Sequence, residues 1–333
     1  MAAETAPLYA VARHLADGRF HSGTAIAADL GLSRAAVWKR VRQLADAGLE
    51  VHRVPGRGYR LAAPLDLLDA TAIRAMLGEA HAAALNCLEV LFTTDSTNAW
   101  MQNRAARLPE GGVGACIAER QTAGRGRRGR DWVSPFGANI YLSVGWNLHD
   151  LPPELHALSL AAGIAAAAAV EDCGFAGVGL KWPNDLVWRE RKLGGILVEV
   201  QGQPGGACRL VVGVGINVAM PAAAAQPISQ PWVDLATIRE LALGLRSRLA
   251  GTLIRSLMDM LRRYARTGFG PFADAWRARD AMAGRRVDLL LPDGVAHGVA
   301  AGVDAEGALC LKSGGRTRRY FAGEISLRAV AGK

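Results

Sequence analysis

Residues 115–146 read ACIAERQTAGRGRRGRDWVSPFGANIYLSVGW. The apolar runs Ala115–Glu119 and Ile140–Trp146 have the length and composition of buried strands. Between them lies Gly124-Arg125-Gly126-Arg127-Arg128-Gly129-Arg130, with four basic side chains and no acidic one. Guanidinium groups this close repel one another, and three glycines remove any steric reason to hold one conformation. The loop is therefore expected to be mobile when empty and to order around an anion, since arginine forks make charge-assisted bonds worth roughly 1.5–3 kcal/mol each. Three readings are open on chemistry alone: a small phosphorylated ligand, an RNA-binding arginine–glycine tail, or a solvated basic loop. The flanking strands and Trp132 favour the first, because such tails sit in long low-complexity stretches.

Outward from this segment, Leu88–Phe92, Gly179–Trp182, Ile196–Val200 and Leu210–Val214 also read as strands, and Ser96–Arg107 and Leu155–Cys173 as helices. A mixed α/β domain follows. Lys181-Trp182-Pro183-Asn184-Asp185-Leu186 ends a strand at Pro183, which puts Asn184 and Asp185 in a turn where their side chains can face a cleft. Lys192-Leu193-Gly194-Gly195-Ile196-Leu197-Val198-Glu199 follows, so two lysines, an amide and a carboxylate frame one loop. Each has a dull explanation as a turn former or a solvated charge; the combination is harder to dismiss. Gly213-Val214-Gly215-Ile216-Asn217-Val218 lacks the third glycine and the following helix of a dinucleotide fingerprint, and that reading is rejected.

The first sixty residues form a different module. Leu8, Val11, Ala12 and Leu15 recur at helical spacing up to Gly18, and a second helix spans Thr24–Leu30. Gly31-Leu32-Ser33 leads to a third helix at Arg34–Ala47, with Ser33 as N-cap and Gly48 as the left-handed residue after its end. Val37, Val41 and Leu44 make its apolar stripe; Arg34, Ala35, Trp38, Lys39, Arg42 and Gln43 lie mostly off it. Two helices joined by a glycine turn, the second basic outside, predict a helix-turn-helix whose recognition helix enters the major groove. Leu49–Val54 and Tyr59–Leu61 around Pro55-Gly56-Arg57-Gly58 predict a hairpin wing with a basic tip. Ser33, Arg34, Ala35, Trp38, Lys39, Arg42 and Arg57 are the candidate DNA contacts. A small bundle with a solvated basic face is the bland alternative, for residues 1–62 hold only nine basic against five acidic side chains.

Residues 239–279 read as helical, with Leu249, Leu253, Leu257, Met260 and Leu261 as a core stripe and Gly268 as its end. From Arg285 onward about five short strands alternate with turns, which predicts a small β-barrel. The expected division is 1–63, 64–280 and 284–333. The net charge of +9 over 333 residues permits polyanionic partners without proving them. The longest uncharged apolar run, Ala157–Val170, is short of the roughly 20 residues a membrane span needs. No secretory pattern is visible at the start, and five scattered cysteines without a CxxC argue against a disulfide scaffold and a zinc site. A cytoplasmic address is expected.

The order Asp95-Ser96-Thr97-Asn98, Gln121, Gly124–Arg130, Trp132, Lys181–Leu186, Lys192–Glu199 and Gly215-Ile216-Asn217 resembles the biotin–protein ligases. With the N-terminal helix-turn-helix, the chain is similar over nearly its whole length to their bifunctional bacterial type, ligase and biotin operon repressor in one protein. The resemblance implies an α+β architecture: winged helix-turn-helix, central mixed α/β ligase domain and C-terminal SH3-like small β-barrel. It implies two steps. Biotin and ATP give biotinyl-5′-AMP and pyrophosphate, and a lysine of a biotin carboxyl carrier protein then takes the biotin.

Carried over by position, Ser96, Thr97 and Gln121 would hydrogen-bond the polar head of biotin, with Asn98 and Gly124 in the same binding set. Arg125 and Gly126 would contact its tail or carboxyl end, Arg127 would retain the adenylate, and Trp132 would cover the ligand or the adenine. Lys192 would sit at the reacting carboxylate and α-phosphate, and Asn217 near the nucleotide and its metal. Lys181, Asn184 and Asp185 would line the nucleotide and acceptor side, Asp185 either orienting the incoming amine or assisting Mg2+. Lys192, Arg127, Asp185 and Lys181 are the implied catalytic residues. Mg2+ would arrive with ATP near Asp185 and Asn217 rather than in a protein cage. Gly194 and Gly195 would let the backbone approach the ligand. Operator DNA and a homodimer formed on adenylate binding are the further implied partners, with no membrane, and Gln201–Ala207 is a candidate interface element. The rivals are a lipoate or octanoate ligase of the same fold, a ligase whose winged helix regulates nothing, and a nucleotide-sensing transcription factor.

Overall fold

The computed structural model describes residues 2–149, 154–202, 208–292, 294–321 and 326–329. The N-terminal module consists of α1 (Ala2–Leu15), α2 (Gly23–Leu30), α3 (Arg34–Asp46), β1 (Val51–Val54) and β2 (Gly58–Leu61). Ser33 caps α3 as expected, its hydroxyl accepting from the Ala36 N–H at 3.1 Å. Val37, Val41 and Leu44 turn inward onto Val11, Ala12, Leu15 and Ile26, and β1 pairs antiparallel with β2 to form the wing. Phe92 and Phe136, far away in sequence, complete the same apolar cluster.

The central body comprises α4 (Ala70–Ala84), β3 (Leu85–Leu91), α5 (Thr97–Ala105), β4 (Val113–Ala118), β5 (Ile140–Leu148), α6 (Leu158–Asp172), β6 (Gly179–Lys181), β7 (Asp185–Trp188), β8 (Arg191–Gln201), β9 (Cys208–Ile216), α7 (Ala222–Ala225), α8 (Leu235–Ile238), α9 (Leu245–Thr267) and α10 (Ala273–Arg277). Its seven strands run β3-β4-β5-β9-β8-β7-β6, with β3 parallel to β4 and every other pair antiparallel. Side chains alternate between the faces of a strand. Ala115, Ile117, Leu142, Val144, Val212 and Val214 accordingly join the core built with α4, α6 and α9, whereas Cys116 and Val211 face Met101 and Ala105 of α5. The α5 face carries the candidate site residues.

Residues Leu155–Asp172, which include α6, are long and apolar enough by composition to cross a bilayer, but Leu158, Leu160, Ala161, Ala166 and Val170 are buried in the protein core. The helix expected over 239–279 is interrupted: Arg239 is extended, Gly244 takes a left-handed φ of 79°, and α9 begins only after it. Asp66 accounts for that start, because its carboxylate receives the N–H groups of Gly244 and Arg246 at the helix N-terminus.

The C-terminal unit comprises β10 (Arg286–Leu291), β11 (Gly294–Val303), β12 (Leu309–Ser313), β13 (Arg316–Tyr320) and β14 (Ser326–Ala329). About five strands were expected and five are present among the described residues. Their pairing among the described residues is an open row, β13-β12-β11-β10-β14, rather than a closed barrel. The unit packs on the central body, sharing its apolar core, and the Trp182 indole donates to the Gly307 carbonyl at 3.4 Å.

Candidate functional site

The site grows from the α5 face of the sheet, where β8 and β9 carry glycines opposite one another. Gly195 pairs with Gly215, and Gly213 with Leu197. A Cβ at Gly213 would stand 2.2 Å from Asn98 Oδ1, and one at Gly215 only 2.5 Å from the Trp132 indole. Both approaches need a bare backbone. The missing side chains leave a trough into which the start of α5 and the ring of Trp132 descend.

At one end of the trough is a polar chain. Gln121 Oε1 accepts from the Thr97 N–H at 2.9 Å and from its hydroxyl at 3.1 Å, while Gln121 Nε2 donates to Ser134 Oγ at 3.0 Å. Ser143 Oγ lies 2.8 Å from Thr97 Oγ1 and donates to Asn98 Oδ1 at 2.6 Å. Asn98 Nδ2 donates to Glu199 Oε2 at 2.7 Å. Ser96 is the N-cap of α5, its hydroxyl 3.5 Å from the Ala99 N–H. Ser96, Thr97, Asn98 and Gln121 therefore converge, as their sequence order implied. Ser134, Ser143 and Glu199 extend the set, although sequence reading gave none of them a role.

At the other end are the charges. Lys192 Nζ lies 2.7 Å from Asp185 Oδ1, with both side chains about five-sixths buried, and 5.5 Å from the centre of the Trp132 ring. Asp185 is the first residue of β7, facing Gly195. The expected turn thus ends at Asn184, because Leu186, Val187 and Trp188 continue as a strand after it. Arg127 Nη1 donates to Asn184 Oδ1 at 3.2 Å, and Asn184 Nδ2 donates to the Ile196 carbonyl at 2.8 Å. Arg125 stands 3.4 Å from Glu199 Oε1. The arginine–glycine loop, which holds a single 3-10 turn at Arg127–Gly129, is thus tied to β8 through Arg125 and to the turn before β7 through Arg127. At Gly124 a Cβ would stand 2.5 Å from the Trp132 carbonyl.

Burial, opposed by Asp185 and reinforced by Arg130 and Arg128, holds the Arg127 guanidinium below its usual range. Burial likewise lowers Lys181; Asp185 works against this, and Lys192, Arg328 and Arg130 add to it. Both shifts come first from burial of the cation, with the neighbouring basic side chains adding to it and Asp185 opposing it. The Trp132 Nε1–H is buried without a hydrogen-bond partner. Asn217 is turned away from this space. Its amide donates to the Val233 carbonyl at 3.1 Å and the Lys192 carbonyl at 3.4 Å, so it holds the backbone that carries Lys192.

On the N-terminal module, Arg34, Ala35, Trp38, Lys39 and Arg42 are exposed along one side of α3. Trp38 is 45% exposed, the more unusual for its size, and Arg42 lies over its ring at 5.7 Å. Arg57 projects from the wing with its guanidinium 4.1 Å above the Phe20 ring. The Ser33 hydroxyl is occupied by its capping bond, which leaves it a smaller share in any contact.

Three family models match in order: an HTH domain over residues 9–60, the biotin/lipoate A/B protein ligase family over 90–217, and the biotin protein ligase C terminal domain over 283–328. The bifunctional ligase/repressor BirA of Escherichia coli is 42% identical over 98% of both chains, and that of Bacillus subtilis is 32% identical over 94% of this chain and 95% of its own. The biotin–[acetyl-CoA-carboxylase] ligase of Mycobacterium tuberculosis is 40% identical over 72% of this chain and 88% of its own. Among solved structures, the biotin protein ligase of Aquifex aeolicus in complex with biotin and ATP is similar at a TM-score of 0.60 and 27% identity, covering 74% of this chain and all of that one. With a site of this build and relatives that match it from end to end, the chain belongs to the biotin–protein ligase family, in the three-part form of the bifunctional ligase/repressors.

Proposed function

We propose that the chain is an ATP-dependent biotin–protein ligase that forms biotinyl-5′-AMP, transfers biotin to a lysine of a biotin carboxyl carrier protein, and represses transcription in response to biotin. The observation that carries the enzymatic half is the convergence of Lys192, Asp185, Arg127, Asn184 and Trp132 at one end of a trough whose other end is the Thr97–Gln121 polar chain. One end suits a ring with urea-like donors and acceptors; the other suits a carboxylate meeting a phosphate.

Bringing the biotin carboxylate onto the α-phosphate sets like charges against each other, and fixed cations lower that barrier because they need no reorganisation at the moment of reaction. Lys192, in ion-pair contact with Asp185, is the group we assign to the reacting carboxylate and α-phosphate. Arg127, held by Asn184, is assigned to the adenylate, and Arg125 to the biotin tail. Lys181 adds to the positive field. Trp132, on its glycine floor, covers the mixed anhydride and keeps water from it.

In the second step the acceptor amine must arrive unprotonated and in line. Asp185, next to Lys192, is the group we assign either to orient that amine or to assist Mg2+. Among the described residues no group of three metal-ligating side chains is present. One carboxylate beside the Asn184 amide, with Asn217 turned away, fits Mg2+ only as an ion that keeps several waters and is held mainly through nucleotide phosphates. Asp185 would hold it, and it would neutralise phosphate charge.

The division at 1–63, 64–280 and 284–333 belongs to this proposal, with the three matched segments as its support. So do operator binding through α3 and the wing, a homodimer favoured by the adenylate, and a cytoplasmic address. The candidate interface element Gln201–Ala207 lies mostly outside the described residues. Mass spectrometry of a biotin-domain acceptor after incubation with this protein, biotin, ATP and Mg2+ tests the ligase: a gain of one biotin is expected, and an unmodified acceptor defeats it. Replacing biotin by lipoate or octanoate separates the rival ligases. Gel shifts on operator DNA with and without biotin and ATP test repression, and DNA binding indifferent to both would defeat the coupling.

A further inference from the structure

Ser143 of β5, Gly213 of β9 and Leu197 of β8 lie side by side in register across the sheet. Asn98 comes down from α5 onto the bare backbone of Gly213, with Ser143 at one end of its amide and Glu199 at the other. Glu199 has two partners. One carboxylate oxygen accepts from Asn98 Nδ2 at 2.7 Å, and the other forms the ion pair with Arg125 at 3.4 Å. An ionised carboxylate accepts on both oxygens and donates on neither. Glu199 therefore decides which way round the Asn98 amide lies. Nδ2 faces the carboxylate and, more distantly, the Leu197 carbonyl at 3.3 Å, so Oδ1 faces Ser143.

That orientation propagates. An amide oxygen takes protons and gives none. The buried Ser143 hydroxyl, 2.6 Å from Asn98 Oδ1, spends its one proton there and turns lone pairs toward Thr97 Oγ1, 2.8 Å away. The Thr97 hydroxyl has one proton and two acceptors in reach, Ser143 Oγ and, at 3.1 Å, Gln121 Oε1. Whichever takes it, the proton stays inside the protein, and Thr97 Oγ1 offers a ligand lone pairs alone. With the Asn98 amide the other way round, Nδ2 would donate to Ser143, whose own proton would then turn to Thr97 and fill one of those lone pairs.

We propose that Glu199 is a positioning residue that sets the direction of this hydrogen-bond chain, so that the polar end of the trough accepts hydrogen bonds and selects a ring carrying N–H groups. The inference rests on the reading of Thr97 as a biotin contact and deepens it. A cyclic urea brings N–H donors, whereas the dithiolane ring of lipoate brings none. A site built to bond a ligand's polar hydrogens rejects an analogue without them, because its own polar groups are then left unpaired. Glu199 acts through Asn98 and Ser143 and is remote from the reacting carboxylate.

The test uses the full chain and measures biotin affinity by titration calorimetry. Glu199→Gln keeps the size but has one acceptor oxygen in place of two, so either Asn98 or Arg125 loses its partner. Biotin should bind about tenfold more weakly. Adding Asn98→Asp to Glu199→Gln restores the direction: the amide, now at position 199, donates to the carboxylate at position 98, which still takes the Ser143 proton. This double variant should bind biotin within about threefold of wild type, whereas Asn98→Asp alone sets two carboxylates face to face and should lose more than about tenfold. A Glu199 that merely props up the fold or holds Arg125 predicts added losses and no rescue. Should Glu199→Gln fail to fold, Ser143→Ala decides, since it cuts the chain at its middle and should weaken biotin about tenfold as well. Affinity within twofold of wild type in Glu199→Gln or in Ser143→Ala, or a double variant as weak as the two losses multiplied, overturns the inference and leaves the ligase intact. Thr97→Val tests the reading beneath it: unchanged biotin affinity there withdraws Thr97 from the pocket, and the inference with it.

Discussion

Gly215→Ala tests whether the Trp132 floor matters to the chemistry. The added methyl would lie 2.5 Å from Cε2, 2.6 Å from Cζ2 and 2.8 Å from Nε1 of the indole. Carbon atoms rest at about 3.5–4.0 Å from one another, so the ring must rise by about 1 Å or the strands must part. Overfilling a packed site costs typically about 1–3 kcal/mol, and at 1.36 kcal/mol per decade that is roughly 5- to 150-fold. Gly195→Ala is the internal control, because its methyl would meet Trp132 at 3.4 Å and the Lys192 side chain at 3.5 Å, both ordinary contacts. The assay is steady-state pyrophosphate release at varied biotin, together with the lifetime of the adenylate on the enzyme. Gly215→Ala should lower kcat/KM at least about fivefold and shorten that lifetime, whereas Gly195→Ala stays within about threefold. In a Trp132→Ala background, Gly215→Ala should add almost nothing, since the clash has gone. Equal effects at both glycines, or a full additional loss in the tryptophan-less background, would refute the role given to the ring.

Lys192→Ala should lower the adenylation rate by far more than twofold, and single-turnover pyrophosphate release measures it; a rate within twofold of wild type removes Lys192 from the reacting centre. Arg246→Ala leaves the Glu119 carboxylate buried without its cation, so urea denaturation should show a loss of about 3–5 kcal/mol. Lys181 has a lowered folded pKa, so between that value and its ordinary one the unfolded chain binds the extra proton and stability rises with pH. Lys181→Met should flatten this alkaline rise in a pH series of urea midpoints, and an unchanged slope counts against the burial that lowers it.

How much of this was legible beforehand depended on the range of the interaction. Ser33 and its helix are written within four residues, because a cap bonds to a backbone N–H three positions on. The arginine–glycine loop announces itself through composition. Its anchors do not. Glu199 and Asn184 lie more than fifty residues from the arginines they hold, and nothing local in either sequence marks the pairing. Asp185 illustrates the opposite error: proline followed by Asn-Asp suggests a turn, yet the antiparallel register with β8 draws Asp185 into β7. Tertiary pairing outweighs turn propensity there, and that displacement sets the carboxylate against Lys192. Residues 239–244 failed for a related reason, since their apolar pattern is helical while Gly244 and the Asp66 carboxylate fix the start of α9 further on.

The boundary near residue 63 is a place where covalent and physical divisions differ. Charge and proline suggest a module that ends there, and β2, paired with β1, ends at Leu61. The apolar cluster does not stop, for Leu65, Leu67, Phe92 and Phe136 fill out the core of the N-terminal module. A module hung on a free linker would keep its own surface polar on every side. This one leaves an apolar face that only the ligase body covers, and it adds a buried hydrogen bond from Tyr9 to Glu119 beneath it. Separating the two would expose aromatic rings and strip a partner from a buried carboxylate, costs that fall on the same segment that holds Gln121. A repressor that must report the state of a small-molecule pocket gains from that arrangement, because the pocket and the reading head then share one set of buried contacts instead of communicating through a flexible tether.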